Sequence, residues 1–241
     1  AGNIQSTQSL TIELDKSGPT GGSVSHADAL QNSATIAVAV DPGADSVSGM
    51  STTDSEFLLE YRSAELSANS CGDFGDWTDS AATETAAATN YNFAATSGNC
   101  YQFRYSVVDI AGNSATFTSS STTKIDSISP IDPTLDFVDG FMNSTSQSVA
   151  FSATDSASGV ASFTLATRTA ILSGGACGAF GEWSSLGTQI SPYSHSLTDA
   201  TCFQYRIVAT DAAGTSVEYI SAATTKVDAT APTVATPTDE G

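Results

Sequence analysis

Most segments of this chain that lie between Gly-, Asp- and Ser-rich turns carry a hydrophobic residue at every second position. The clearest examples are Ile36–Val40, Phe57–Tyr61, Tyr101–Val107, Val149–Ala153, Phe163–Leu165 and Phe203–Ala209. A period of two is typical of half-buried strands, and no segment sustains the 3.6-residue period of an amphipathic helix. With about seven such strands in each half, the pattern predicts an all-β chain that folds into β-sandwiches.

The two halves of the chain repeat one pattern. Cys71–Trp77 (CGDFGDW) returns as Cys177–Trp183 (CGAFGEW), and Cys100–Gly112 (CYQFRYSVVDIAG) returns as Cys202–Gly214 (CFQYRIVATDAAG). Self-similarity at a fixed spacing is the signature of repeat architectures, in which each unit is a structural module. The pattern therefore favours an array of modules over a single catalytic body.

Three linker-like segments mark where the repeats meet. In each of them an Asp is followed four residues later by a Pro, at Asp15, Asp126 and Asp228. These positions divide the chain into a first repeat at 16–126 and a second at 127–228, near the usual size of a domain. We interpret residues 1–15 as the last strand of a preceding repeat or an N-terminal arm, and residues 229–241 as a linker or the start of a following repeat.

The chain is strongly acidic. Seven Lys and Arg stand against 26 Asp and Glu, which gives a formal net charge of −19 at pH 7. Nucleic acid and anionic membrane surfaces need basic patches, so this balance argues against both as partners. No run approaches the roughly 18 apolar residues that a membrane-spanning helix needs. An acidic surface rich in Ser and Thr suits an extracellular or cell-surface protein.

Two cysteines lie at matched positions in each repeat. Four cysteines allow three pairings, but only Cys71–Cys100 with Cys177–Cys202 keeps each repeat self-contained. Each such bridge would stabilise its repeat by about 3.5 kcal/mol, because it lowers the entropy of the unfolded chain. Disulfides also indicate an oxidising compartment. A four-cysteine zinc site is the alternative, although the chain has no Cys-x-x-Cys pair.

The segment Tyr101–Asn113 (YQFRYSVVDIAGN) resembles the penultimate strand and last hairpin of bacterial immunoglobulin-like and fibronectin type III-like repeats. The segments that end at Asp126 and Asp228 resemble the linkers of such arrays in large extracellular surface proteins. The resemblance implies two tandem immunoglobulin-like β-sandwiches of about seven strands each. The cysteines depart from the antibody pattern, because Cys71 follows the third strand. The bridge is therefore expected to tie the loop near Trp77 to the start of the penultimate strand.

The sequence offers little for catalysis. Its two histidines, His26 and His195, occupy unrelated positions in the two repeats, and a Ser–His–Asp site needs its three groups together. It also has no Gly-rich phosphate loop or metalloprotease His pair. We therefore predict that the chain is not an enzyme.

All four arginines are matched between the repeats: Arg62 with Arg168 and Arg104 with Arg206. Strand parity places them on one outer sheet face. There they are either cross-strand partners of acids such as Glu60 and Glu218 or a patch for an anionic ligand. The matched Trp77 and Trp183 are expected to pack over the disulfides, with a sugar-binding platform as the alternative.

Six aspartates are matched near the junctions of the repeats: Asp15, Asp45, Asp109, Asp126, Asp155 and Asp211. In each repeat they lie in the entering linker, after the second strand and at the last hairpin, and these places converge on one end of an immunoglobulin-like sandwich. Three carboxylates per junction form an oxygen-rich set that suits Ca²⁺. Asp is also common in turns without a metal, so both interpretations stay open. Calcium is the one cofactor that the sequence suggests.

The repeated architecture favours a structural role. We expect spacer or stalk repeats of a secreted or cell-surface microbial protein or extracellular fibre, stapled by disulfides and stiffened by calcium. The expected partners are neighbouring repeats of the same polypeptide, with self-association or a surface ligand as further candidates. Each repeat has its own last strand, at Ala115–Ile125 or Val217–Val227, so strand donation by residues 1–15 is not expected. The alternative function is an adhesin module that binds carbohydrate or protein.

Overall fold

The computed structural model describes residues 12–81 and 89–234. Residues 1–11, which are most of the expected N-terminal arm, and residues 82–88 and 235–241 lie outside the described residues. Within the described ranges the only helix is a 3₁₀ turn at Asp54–Glu56. No helix there is long enough to cross a membrane.

The described residues form two units of matching strand order. The first unit contains β1 (Ser23–Ser25), β2 (Leu30–Gln31), β3 (Thr35–Asp41), β4 (Leu58–Ser67), β5 (Ser70–Cys71), β6 (Thr78–Asp79), β7 (Asn90–Ala94), β8 (Asn99–Val108), β9 (Ser114–Thr118) and β10 (Thr123–Ile125). The second contains β11 (Ile131–Asp136), β12 (Gly140–Met142), β13 (Ser146–Thr154), β14 (Val160–Ser173), β15 (Ala176–Cys177), β16 (Ser184–Thr188), β17 (Tyr193–Ser196), β18 (Thr201–Asp211), β19 (Ser216–Ile220) and β20 (Thr225–Val227).

Each unit is a sandwich of a three-stranded and a seven-stranded sheet. In the first unit the order β1-β3-β7 faces the order β2-β10-β8-β4-β5, with β6 beside β4 and β9 beside β8. The second unit has the same arrangement, from β11-β13-β17 to β12-β20-β18-β14-β15. The strands pair antiparallel except that β2 runs parallel to β10 and β12 runs parallel to β20.

The core of each unit lies between its two sheets, where the period-two pattern places every second side chain. The inward residues of β3 are Ile36, Val38 and Val40, and all three are buried against Phe103 and Tyr105 of β8. The second unit buries a matching set on β13 and β18. The all-β prediction is confirmed: the described residues form two tandem β-sandwiches.

The last strand of each unit differs from the sequence-based expectation, because it is interrupted. The predicted strand Ala115–Ile125 is divided into β9 and β10, and Val217–Val227 into β19 and β20. At the break, the Ser119 hydroxyl accepts a hydrogen bond from the Ser121 N–H at 3.1 Å, and Ser221 does the same for Ala223. A side-chain hydroxyl that bonds the backbone in this way competes with the ladder and interrupts the strand.

Candidate functional site

The junction between the two units brings together three carboxylates from distant parts of the chain. Asp126 follows β10, Asp155 follows β13 and Asp211 ends β18. One oxygen atom of each carboxylate lies within 4.8 Å of those of the other two. Asp126 is 0% exposed and Asp211 is 2% exposed, so two of the three carboxylates are shielded from water. We name these three residues the interior cluster.

Local turns hold these carboxylates in place. Asp155 Oδ1 accepts the N–H groups of Ser158 at 2.9 Å and Gly159 at 2.7 Å, whereas Oδ2 takes no part in this turn. Asp211 Oδ1 accepts the Thr215 N–H at 2.8 Å. Asp126 reaches across from the linker, and its Oδ2 accepts the Ser158 N–H at 3.1 Å. The same backbone amide therefore binds one carboxylate from each side of the junction.

The entrance to the first unit carries the equivalent set, which we name the entry cluster: Asp15, Asp45 and Asp109. Its ligand oxygens also lie within 4.8 Å of one another. Asp15 Oδ2 accepts the Ser48 N–H at 3.1 Å, which matches the contact from Asp126 to Ser158. Asp109 is buried, but Asp15 and Asp45 are half-buried. The hydrogen bond from the Ser17 N–H is the main cause that lowers the pKa of Asp15. All six predicted aspartates thus lie in the two predicted groups.

Both clusters offer oxygen atoms without a basic side chain to balance them. Among the described residues the salt bridges join Arg104 to Glu60 and Arg206 to Glu218, and neither touches a cluster. The hydroxyl of Ser158 is buried and has no hydrogen-bond partner in the described structure, although its own amide binds Asp126 and Asp155. Buried polar groups normally have partners, so this hydroxyl has an unused donor and acceptor beside the interior cluster. Carboxylates and a hydroxyl are hard ligands of the kind that Ca²⁺ uses.

The two units also touch directly at this junction. The turn between β4 and β5 donates two backbone hydrogen bonds to the loop after β13, from Ala68 N to Ser156 O at 3.0 Å and from Asn69 N to Ala157 O at 2.8 Å. The Ala157 side chain packs on a small apolar cluster of the first unit that contains Leu66. The junction is therefore joined by backbone hydrogen bonds, apolar contact and the Asp126 carboxylate.

The structure pairs the four cysteines within the units, as Cys71–Cys100 and Cys177–Cys202. In both bridges the Cα atoms are 5.9 Å apart. The first bridge joins β5 to the start of β8, and the second joins β15 to the start of β18. Cys71 and Cys100 belong to the apolar cluster on which Ala157 packs, so the first bridge lies beside the junction.

The tryptophans do not cover the disulfides as expected. The Trp77 ring lies between two guanidinium groups, with the Cζ atoms of Arg62 and Arg104 each 4.8 Å from its centroid. Trp183 lies in the same way between Arg168 and Arg206, at 4.7 and 5.1 Å. Phe74, rather than Trp77, packs on the disulfide cluster. Each tryptophan packs on the arginines instead of the disulfide because a guanidinium stacks favourably on an indole face.

In each unit the two arginines lie on one outer sheet face. Besides the tryptophan, they contact the side chains of acids and amides. Glu60 accepts two hydrogen bonds from Arg104, at 2.6 and 2.7 Å, and this pairing raises the pKa of Arg104. Glu218 accepts one from Arg206 at 3.0 Å. The alternation of side chains along the strands predicted these arginine–glutamate pairs. It did not predict that a tryptophan would lie between the two arginines of each unit.

The two histidines lie in different surroundings from one another. His26 Nδ1 lies 2.8 Å from the Thr123 hydroxyl, and His195 Nδ1 lies 2.7 Å from the Tyr205 hydroxyl. Burial lowers the pKa of both rings, and burial also raises the pKa of Tyr205. In the described structure both rings form hydrogen bonds to hydroxyl or carbonyl groups. Such contacts hold the rings in place between neighbouring strands.

Comparison with known proteins gives likenesses of fold at low sequence identity. No protein-family model and no curated protein matches the chain. Among solved structures, it is similar to the fibronectin(III)-like modules of Clostridium thermocellum CbhA, with 11% identity, a TM-score of 0.32, and coverage of 85% of this chain and 94% of that one. It is also similar to the FN1–FN3 domains of chicken CNTN1, with 13% identity, a TM-score of 0.37, and coverage of 86% and 68%.

Proposed function

We propose that this chain is a structural spacer of an extracellular or cell-surface protein, in which Ca²⁺ stiffens the junctions between modules. The observation that carries the proposal is the interior junction. There the linker residue Asp126 binds the next module, while the Ala68–Asn69 turn binds the same loop from the other side. A linker held at both flanks keeps successive modules at a fixed angle, which is what a spacer requires.

Calcium enters the proposal through the chemistry of the interior cluster. Three carboxylates with oxygens within 4.8 Å repel one another, and burial of Asp126 and Asp211 reduces the screening by water. A divalent cation would remove this repulsion and take the free oxygen of Asp155 and the Ser158 hydroxyl as further ligands. Because the three carboxylates meet only in the folded chain, the cation would stabilise the folded state selectively.

The alternative function, an adhesin that uses the arginine face, has weaker support. All four guanidinium groups already stack on a tryptophan, and Arg104 and Arg206 also pair with a glutamate. An anionic ligand would have to displace these contacts before it could bind. The spacer is therefore the function that we put to the test.

The test compares the thermal unfolding of the full chain in 5 mM Ca²⁺ and in chelator. For a dissociation constant of 10⁻⁴–10⁻³ M, which is typical of extracellular modules, we expect Ca²⁺ to add about 1–2 kcal/mol to the free energy of unfolding. The variant D155N should lose the part of this gain that the interior cluster supplies, because it removes one carboxylate charge from that cluster. The matched control is D136N, at an exposed position of β11, which should keep it.

Small-angle scattering from the same samples measures the angle between the units. We expect a narrower distribution of interdomain angles with Ca²⁺ than with chelator. If neither stability nor the angular spread responds to Ca²⁺ in the unsubstituted chain, the carboxylates are turn residues. If the spread is also broad under both conditions, the chain is not a stiff spacer.

A further inference from the structure

The end of each unit from which the chain leaves forms a face, and in the first unit this face is covered. We name it the exit face. Its turn, Ala68–Asn69, donates two N–H groups to Ser156 O and Ala157 O of the second unit. Leu66 beside it is 3% exposed, since Ala157 packs on the cluster to which it belongs. Lys124 Nζ donates to Asn69 O at 2.7 Å and braces the turn from behind.

The second unit presents the same face. Its turn is Gly174–Gly175, with φ values of 56° and 80°, close to the 46° and 60° of Ala68 and Asn69. Lys226 Nζ donates to Gly175 O at 3.2 Å, as Lys124 does to Asn69 O. Because the two turns share a backbone conformation and a brace, the Gly174 and Gly175 N–H groups are placed as donors in the same way.

In the second unit the exit face exposes apolar side chains that no other described residue covers. Phe141 pairs with Lys226 in the register in which Leu30 pairs with Lys124, and it is 59% exposed, whereas Leu30 is half-buried. Leu172 occupies the position of Leu66 and is half-buried instead of buried. A groove lined by Phe141, Leu172, Gly174, Gly175, Ala200 and Asp228 runs across the face.

The chain beyond this face is held as a linker. Asp199 Oδ1 accepts the Ala229 N–H at 2.7 Å and Oδ2 accepts the Thr230 hydroxyl at 2.6 Å. The Ser97 hydroxyl accepts the Ser127 N–H at 2.9 Å in the same place of the first unit. The hydroxyl of Thr230 is the largest cause that lowers the pKa of Asp199. The segment after Asp228 is therefore held in the same place as the segment after Asp126, which leads into the next module.

We propose that the exit face of the second unit binds a further module of the same kind, joined through the segment after Asp228. That module would set an Asp-Ser-x-Ser-Gly loop against Gly174–Gly175 and place its two cluster carboxylates beside Asp228. A second copy of this chain is the poorer occupant, because its own Asp15 already holds the amide that Asp228 would need. The inference rests on the proposed spacer function and adds the surface by which an array extends.

The experiment uses a three-unit chain in which residues 131–241 are repeated after Pro232, so that the segment after Asp228 and its contacts to Asp199 are kept. Amide hydrogen exchange is followed at Gly174 and Gly175, and at Ala68 and Asn69 as the internal reference. We expect Gly174 and Gly175 to exchange about tenfold more slowly than in the original chain, since a closed junction protects its donors. Exchange in the β18 strand of the third module reports whether that module is folded.

A variant in the third module shows whether slower exchange requires contact with the exit face or only the presence of a third module. Replacing its loop alanine (A157R in that copy) should restore fast exchange at Gly174 and Gly175, whereas S148R, at an exposed position of β13, should not. The inference is overturned if Gly174 and Gly175 exchange equally fast in the two- and three-unit chains while Ala68 and Asn69 stay protected. Fast exchange at Ala68 and Asn69 as well would overturn the stiff spacer itself.

Discussion

The entry cluster and the interior cluster each contain three carboxylates but differ in how far neighbouring residues bury them. Ser158 is buried in the interior cluster, whereas its counterpart Ser48 is half-buried. Ala157 packs on the preceding unit, while Val47 at the same loop position is 52% exposed. Linker, loop and hairpin therefore make the carboxylate geometry at both clusters, and contact with the first unit adds burial at the interior one. We therefore expect the Ca²⁺ affinity of the proposed sites to depend on contact with a neighbouring unit as well as on the carboxylates.

Among the changes that test this difference between the two units, removal of a disulfide should have the largest effect on stability. Replacing Cys71 and Cys100 with alanine, or Cys177 and Cys202, should cost the affected unit about 3 kcal/mol in each case. Only the first replacement should also loosen the interior junction, because only that bridge lies in the cluster under Ala157. Thermal unfolding measures the first effect and hydrogen exchange at Ala68 measures the second. Equal loosening by both replacements would contradict the local coupling.

Substitution of one aspartate in each cluster tests whether burial by a neighbouring unit changes the affinity for Ca²⁺. D155N should remove more of the Ca²⁺-dependent stabilisation than D45N, about 1–2 kcal/mol against less than about 1 kcal/mol, because the interior site is less screened by water. Calorimetric titration of the two variants gives the affinity of the cluster that remains. If D45N removes the larger share, burial by the preceding module is not the deciding factor.

The loop residues test the apolar contact alone. A157Q should weaken the junction by about 1 kcal/mol, because a longer polar side chain cannot fit on the cluster around Leu66. V47Q changes an exposed position and should have no measurable effect. Exchange rates at Ala68 and Asn69 should rise about fivefold in A157Q only. Unchanged rates would show that the hydrogen bonds hold the junction without the apolar contact.

The smallest effect we expect comes from pH. Burial lowers the pKa of His195, so below about pH 6.5 the unfolded chain binds a proton more readily than the folded chain. The stability of the second unit should therefore be full above this value and fall as the pH decreases toward 5.5. H195Q should flatten that slope, and unfolding curves at fixed Ca²⁺ can show it. A slope that persists in H195Q would assign it to other groups.

Sequence reasoning was most successful where a residue's role follows from its own strand or turn. The alternation at Ile36, Val38 and Val40 predicted a buried face, and the repeat-matched positions of Asp126, Asp155 and Asp211 predicted their meeting, since linker, loop and hairpin share one end of a sandwich. The interruption at Ser119 was missed, because a hydroxyl that bonds its own backbone leaves the hydrophobic pattern unchanged.

Contacts between segments without a shared pattern could not be predicted. The stacking of Trp77 between Arg62 and Arg104 depends on the path of the loop that follows Cys71, which the alternation of strands does not specify. The bonds from Ala68 and Asn69 to the second unit use only backbone atoms, so they leave no mark on the hydrophobic pattern. Such contacts are visible only once the two units are placed together.

The parallel pairing of β2 with β10, and of β12 with β20, has a mechanical consequence. In the first unit the chain enters ahead of β2 and leaves after β10, so tension along the array pulls these neighbours in opposite directions. Their hydrogen bonds are then loaded together in shear, rather than opened one after another. The disulfide also keeps the segment from Cys71 to Cys100 out of the length that an unfolding unit can release. Under load each module should therefore yield late and extend little.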